Sequence, residues 1–129
     1  VLSLDAKQVA PGRWNAFING GMTDSGLSAI DWAKEATRIG AGEILLTSID
    51  QDGTRKGFNI ALISAVSRCV SVPVIASGGA GKKEDFLEVF AQGEADAALA
   101  ASLFHFDELT IKELKQYLKK QNVLIRETV

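Results

Sequence analysis

Ser77, Gly78, Gly79, Ala80 and Gly81, five residues nearly free of side-chain bulk, join an apolar run to a helix-like pattern in the stretch VIASGGAGKKEDFLEVF, Val74 to Phe90. Glycine lets backbone N–H groups approach an anion closely, and a helix beginning near Lys82 offers its positive end to the same spot. That combination suits a phosphate. Gly53 in the loop DQDGTRKG, and Ala101 and Ser102 in ASLFH, add backbone and hydroxyl donors from neighbouring loops. The competing reading is a set of tight turns between packed elements. Such turns need glycine at one or two positions, not at Gly78, Gly79 and Gly81 together.

Acidic residues supply the other half of a mechanism. Asp5 ends the stretch VLSLD, where Val1, Ser3 and Asp5 alternate onto one face. A carboxylate on an inward face is costly unless paired or hydrogen-bonded, and in a cleft it is placed to move protons. Asp50 and Asp52 lie in the next loop, where aspartates also serve simply as turn formers that bond nearby amides. Both readings of them stand. Cys69 is the one cysteine, so no internal disulfide and no second thiol for a zinc site exist, and it reads as a helix-face residue.

The elements that must carry these residues alternate regularly. VLSLD (Val1 to Asp5) reads as a strand, and Val9 to Gly21 as a hairpin excursion turned by Pro11 and Gly12. Leu27, Ile30, Ala33 and Ile39 then recur at near-helical spacing until Gly40 and Gly42 stop them. Glu43 to Ile49 is a strand-type run. Ile60, Ile63, Val66 and Val70 mark a second helix, and Val72 to Ser77 a third strand. Phe86, Leu87, Val89 and Phe90 mark the next helix, Ala95 to Ala101 a fourth strand, and Ile111, Leu114 and Leu118 the last helix. Thr110 with Glu113 makes a capping box at its start, and Lys119 and Lys120 suit the dipole at its end.

Four strand-helix units with no internal linker imply a parallel sheet with right-handed crossovers, in one domain over residues 1–129. A doubly wound sheet has helices on both faces and strands apolar throughout. These strands instead carry Ser3, Asp5, Glu43 and Thr47 at alternate positions, which fits a (β/α)4 half of a TIM (β/α)8 barrel. Ligands then sit at the carboxyl ends of the strands, where DAK, DQDGT, SGGAG and ASLFH fall.

Composition sets the outer limits. The 129 residues are 47% apolar and 23% charged, which describes a globular protein with one core. No apolar run approaches the roughly 20 residues that span a bilayer, so no membrane partner and a cytoplasmic setting are expected. A formal charge of −2 gives no electrostatic reason to expect nucleic acid. Val1 is not a methionine, and VLSLD opens as a strand with no cap or turn before it. The expectation is a piece of something longer.

The segments LDAK, IDWAKEATRIGAGEILLTSIDQDGT, VPVIASGGAG and ADAALAASLFHF resemble, in order and spacing, the C-terminal half of the cyclase subunit of imidazole glycerol phosphate synthase. A sister isomerase shares the half-barrel plan and the DG and SGG loops, but LLTSIDQDG and ADAALAASLFH favour the cyclase. The resemblance implies a lyase of histidine biosynthesis, strands five to eight of its barrel, and no cofactor or metal. The substrate it implies is a bis-phosphorylated phosphoribulosyl-formimino-aminoimidazole carboxamide, which reacts with ammonia from a glutaminase subunit. It makes Asp5 one of two catalytic aspartates, the other belonging to the absent half. It places a phosphate on Gly53, Gly79, Ala101 and Ser102, beside Gly78, with Thr47, Asp52 and Ser77 along the substrate's path.

The same resemblance sets Glu43 in a charged ring where ammonia enters the barrel; a solvated strand-start glutamate is the other reading. Trp32 reads as helix-sheet filler rather than a glutaminase contact, and His105 as structural. A four-stranded half exposes its edges and inner face, so completion by an N-terminal half-barrel or by a second copy of the chain is expected. The alternative function is a self-associating phosphate-binding half-barrel without turnover.

Overall fold

The computed structural model describes residues 1–127. Among them are the strands β1 (Leu2–Ala10), β2 (Arg13–Ile18), β3 (Thr23–Ser28), β4 (Ile44–Ser48), β5 (Val74–Ser77) and β6 (Ala97–Leu99). The helices are α1 (Ala29–Arg38), α2 (Ile60–Ser67), α3 (Lys83–Ala91), α4 (Ser102–His105) and α5 (Ile111–Lys120). One sheet holds all six strands in the order β3-β2-β1-β4-β5-β6. β1, β4, β5 and β6 run parallel, and the antiparallel pair β2 and β3 extends the β1 side.

Alternation along the strands decides which face the helices cover. Leu4, Ala6, Ile44, Leu46, Val74 and Ala76 are buried, and they share one core with Ala29 and Ala33 of α1, Leu62, Ile63 and Val66 of α2, and Phe86 and Val89 of α3. Alanines on α1 let that helix approach the sheet closely. The opposite face carries Ser3, Asp5, Leu45, Thr47 and Ile75, none of them fully buried. Helices therefore line one face only, as a half-barrel requires and a doubly wound sheet does not.

Several boundaries differ from those the sequence suggests. β1 runs on to Ala10, because its second half pairs with β2 through a two-residue turn in which Gly12 takes a φ of 68°. β3, TDSGLS, has none of the branched or aromatic alternation of a strand. It forms because Ser25 Oγ donates to Ala16 O and Phe17 pairs with Asp24 across a bulge. α1 starts after Ser28, whose Oγ accepts the Asp31 N–H at 3.3 Å, so Leu27 and Ile39 stay outside and exposed. Cys69 follows the C-cap Arg68 of α2 and is exposed, not on a helix face. Val70 and Val72 also lie outside the regular elements, and β6 keeps only three residues of the expected seven. Alanine is a weak strand former, and β6 has a partner on one side alone. α4 is a helix the periodicity does not reveal, since four residues carry too little pattern.

Candidate functional site

Parallel pairing puts Asp5 beside Thr47, Thr47 beside Ser77, and Ser77 beside Leu99. These residues form one row on the open face at the carboxyl ends of the strands. Neighbouring strands are about 4.8 Å apart, so Asp5 stands roughly 10 Å from Ser77. Asp5 is half-buried, and across β2 its partner is Phe17, over whose ring the Lys7 ammonium sits 5.7 Å from the centroid.

Next to this row, a cleft of about 250 Å³ opens between the loops that follow β4, β5 and β6. Its walls include Asp52, Gly53, Ser77, Gly78, Gly79, Ala101 and Ser102. Seven residues singled out from sequence thus meet in one hollow. Asp5 and Thr47 lie beside it on the strand row. Glu43 precedes β4 at the opposite end of the sheet, about 13 Å from Thr47 at 3.3 Å per residue, and is exposed.

The glycines have a reason that sequence reading undervalues. A Cβ on Gly79 would lie 2.1 Å from Gly57 O, one on Gly81 2.0 Å from Arg55 O, and one on Gly78 2.8 Å from Ser48 O. The loop after β4 is packed onto the loop after β5, and Gly57 N–H donates to Gly79 O at 2.8 Å. Tight packing alone therefore accounts for all three glycines, contrary to the expectation that it would need only one or two. Convergence of the lining residues, rather than glycine content, marks the cleft.

The helix end also differs from expectation. Gly81 N–H and Lys82 N–H both donate to Asp85 Oδ2, at 2.8 and 3.0 Å, and Asp85 is buried. The carboxylate of α3 itself takes those donors at its positive end. The short helix α4 begins with Ser102 on the cleft wall, an arrangement common in barrels, where a small extra helix after the last strand faces a phosphate.

Leu99 and Ala100 line the cleft without having been singled out, and Arg55 is the charged lining residue that sequence reasoning missed. Its guanidinium binds both carboxylate oxygens of Glu108, Nη1 to Oε1 at 2.9 Å and Nη2 to Oε2. The Glu108 hydrogen bond holds the Arg55 pKa above its usual range, and the Arg55 hydrogen bond holds that of Glu108 below. A cation two residues after Gly53 in DQDGTRKG was the available signal. Its partner, 53 residues away, was not.

Other expectations sort simply. Asp50 Oδ2 accepts the Gln8 N–H at 2.8 Å, tying the loop to β1, which is a structural use. Asp52 N–H donates to Ser48 O, closing the turn while its side chain lines the cleft. Trp32 is half-buried against the core, and exposed His105 packs edge-on to Phe106 at 5.1 Å. Among the described residues no group of three His, Cys, Asp or Glu is gathered closely enough for a metal ion.

A mainly parallel sheet with helices on one face, and a small-residue cleft at its strand ends, defines the half-barrel class of α/β protein. The chain belongs to the histidine biosynthesis protein family, whose model matches residues 1–110. It is 54% identical, over 98% of its length, to the imidazole glycerol phosphate synthase subunit HisF of Hydrogenobaculum sp. strain Y04AAS1, of which it covers 50%. It is 58% identical, over 88% of its length, to the protein of the same name from Clostridium botulinum strain Okra, of which it covers 45%. The chain spans about half the length of these relatives. Their shared name agrees with the cyclase, rather than isomerase, resemblance of its motifs.

Proposed function

We propose that the chain is the C-terminal half of an imidazole glycerol phosphate synthase cyclase, supplying one catalytic carboxylate and one phosphate site. The observation that carries this reading is the register row, which sets Asp5 two strands from Ser77 and the cleft. One phosphate of the bis-phosphorylated substrate occupies the cleft, held by Gly53, Gly79, Ala101 and Ser102. Thr47, Asp52, Ser77 and Gly78 line the path from there to Asp5. Asp5 moves protons as the ammonia nitrogen is built into the new imidazole ring, and the second phosphate and second aspartate come from an N-terminal half-barrel. Glu43, at the other end of the strands, borders the entrance for ammonia from a glutaminase. The products are imidazole glycerol phosphate and an aminoimidazole carboxamide ribonucleotide.

As part of this reading the chain works in the cytoplasm, with neither nucleic acid nor membrane as a partner. The test is ammonia-dependent turnover by the chain mixed with a separately expressed N-terminal half. Asp5→Asn, which keeps the shape but removes the proton acceptor, is expected to lower kcat by about 10²- to 10⁴-fold. Undiminished turnover with Asp5→Asn would overturn the catalytic assignment.

A second reading is favoured by the open face, where Leu45 and Ile75 are half-buried and Leu99 is 42% exposed. Two copies facing each other would cover these residues, giving a self-associating phosphate-binding half-barrel without turnover.

A further inference from the structure

We propose that Arg55 and Glu108 form a latch at the edge of the cleft, and that an entering phosphate opens it by drawing the Arg55 guanidinium off the Glu108 carboxylate. This rests on the phosphate-binding reading above. Arg55 belongs to the loop after β4, and Glu108 follows α4, whose first residue is Ser102 on the cleft wall. The bidentate contact thus ties Arg55, on the cleft wall, to a carboxylate just outside the lining, in the segment that continues from the wall at Ser102.

Among the lining residues Arg55 is the cation, and Asp52 adds a carboxylate of the wrong sign for an anion. A phosphate held there by backbone and hydroxyl donors therefore has Arg55 as the lining cation able to balance its charge. The guanidinium fork fits a phosphate as well as it fits a carboxylate, and a doubly charged phosphate attracts it more strongly. The geometry allows the exchange. The Arg55 backbone is fixed, with a φ of 59° and a carbonyl seated where only the bare Gly81 leaves room. Its side chain, by contrast, is 40% exposed and that of Glu108 42%, so both are free to turn without disturbing the core. Glu108 acts as an internal competitor: it holds Arg55 at the cleft when the site is empty and lowers the affinity for the anion by the strength of the contact it must give up.

Titration of inorganic phosphate into the full chain, followed calorimetrically and through the Arg55 Nε–H signal in NMR spectra, tests this. An exposed ion pair of this kind corresponds to roughly two- to fivefold in affinity. Glu108→Gln is expected to bind phosphate about two- to fivefold more tightly and Arg55→Gln at least about tenfold more weakly. Glu94→Gln removes the same charge from the pair with Arg68 before β6, and is expected to change nothing. Binding by the unaltered chain that neither Glu108→Gln nor Arg55→Gln changes would overturn the latch and leave the phosphate site standing. Equal gains in Glu108→Gln and Glu94→Gln would reduce the effect to net charge and also overturn it. Binding by none of the four proteins would overturn the phosphate site and the latch together.

Discussion

Gly79 has no room for a side chain: its φ is 110°, and a Cβ would sit against the Gly57 carbonyl that belongs to the facing loop. Gly79→Ala must therefore distort the backbone and pull apart the Gly57–Gly79 hydrogen bond. Backbone strain of this kind costs about 1–3 kcal/mol. We expect chemical denaturation to show a loss of at least about 2 kcal/mol, counting the separated loops. Gly42 gives the control, since nothing lies within 4 Å of its would-be Cβ, and Gly42→Ala should be close to neutral. If Gly79→Ala left stability untouched while weakening phosphate binding, the glycine would be there for the ligand and not for packing. At this scale the sequence picked out the glycines but gave too little weight to packing as a reason for them. Gly78, Gly79 and Gly81 read as an anion cradle because local sequence contains no record of the loop that packs over them.

α5 is the element whose local signals were most complete. Thr110 N–H donates to Glu113 Oε2 at 2.9 Å, and Glu113 N–H to Thr110 Oγ1 at 3.1 Å, the reciprocal cap that the spacing of the two residues predicts. Losing the cap in Thr110→Ala is expected to cost about 1 kcal/mol. The Thr110 backbone bond, helped by its hydroxyl, holds the Glu113 pKa below the ordinary glutamate value of 4.5. A carboxylate favoured in the folded state stabilises it above the unfolded pKa, and that contribution fades as pH falls through the lower folded value. Hydrogen exchange at the first turn of α5 should therefore speed up below about pH 4.5, and Glu113→Gln, which cannot ionise, should flatten the dependence. An unchanged pH profile in the variant would show that the cap is not its source. β3 is the opposite case: Thr23 to Ser28 has no strand pattern, and only pairing with β2 makes it one.

The molecule as a whole has one finished face and one unfinished face. Helices bury Leu4, Leu46, Val74 and their neighbours, whereas Leu45, Ile75 and Leu99 remain partly in water. Apolar area gathered on an open sheet favours association, at about 25 cal/mol per Å² removed from water. We expect sedimentation velocity to find the chain self-associated at micromolar concentration, and Leu99→Glu to shift it toward monomer by placing a charge in the shared interior. A monomer at every accessible concentration would rule out completion by a second copy and leave completion by an N-terminal half.

What the sequence determined by itself was whatever is written in near-neighbour spacing. The alternation of strands and helices, the polar residues Ser3 and Asp5 in β1, Glu43 just before β4 and Thr47 within it, and the capping box of α5 all depend on residues a few positions apart. So did the choice of a half-barrel over a doubly wound sheet, because strands that set polar residues such as Asp5 and Thr47 among the apolar ones on one face do not suit apolar helices on both sides. Tertiary structure alone decided the rest. Asp5, Thr47 and Ser77 share a row only through the register of three strands far apart in sequence. The glycines of SGGAG are demanded by carbonyls of another loop, the N-terminus of α3 is occupied by its own Asp85, and Arg55 finds Glu108 across 53 residues. Spacing along a chain specifies which way a side chain points, but what it meets there depends on how separate segments pack, and no local pattern contains that information.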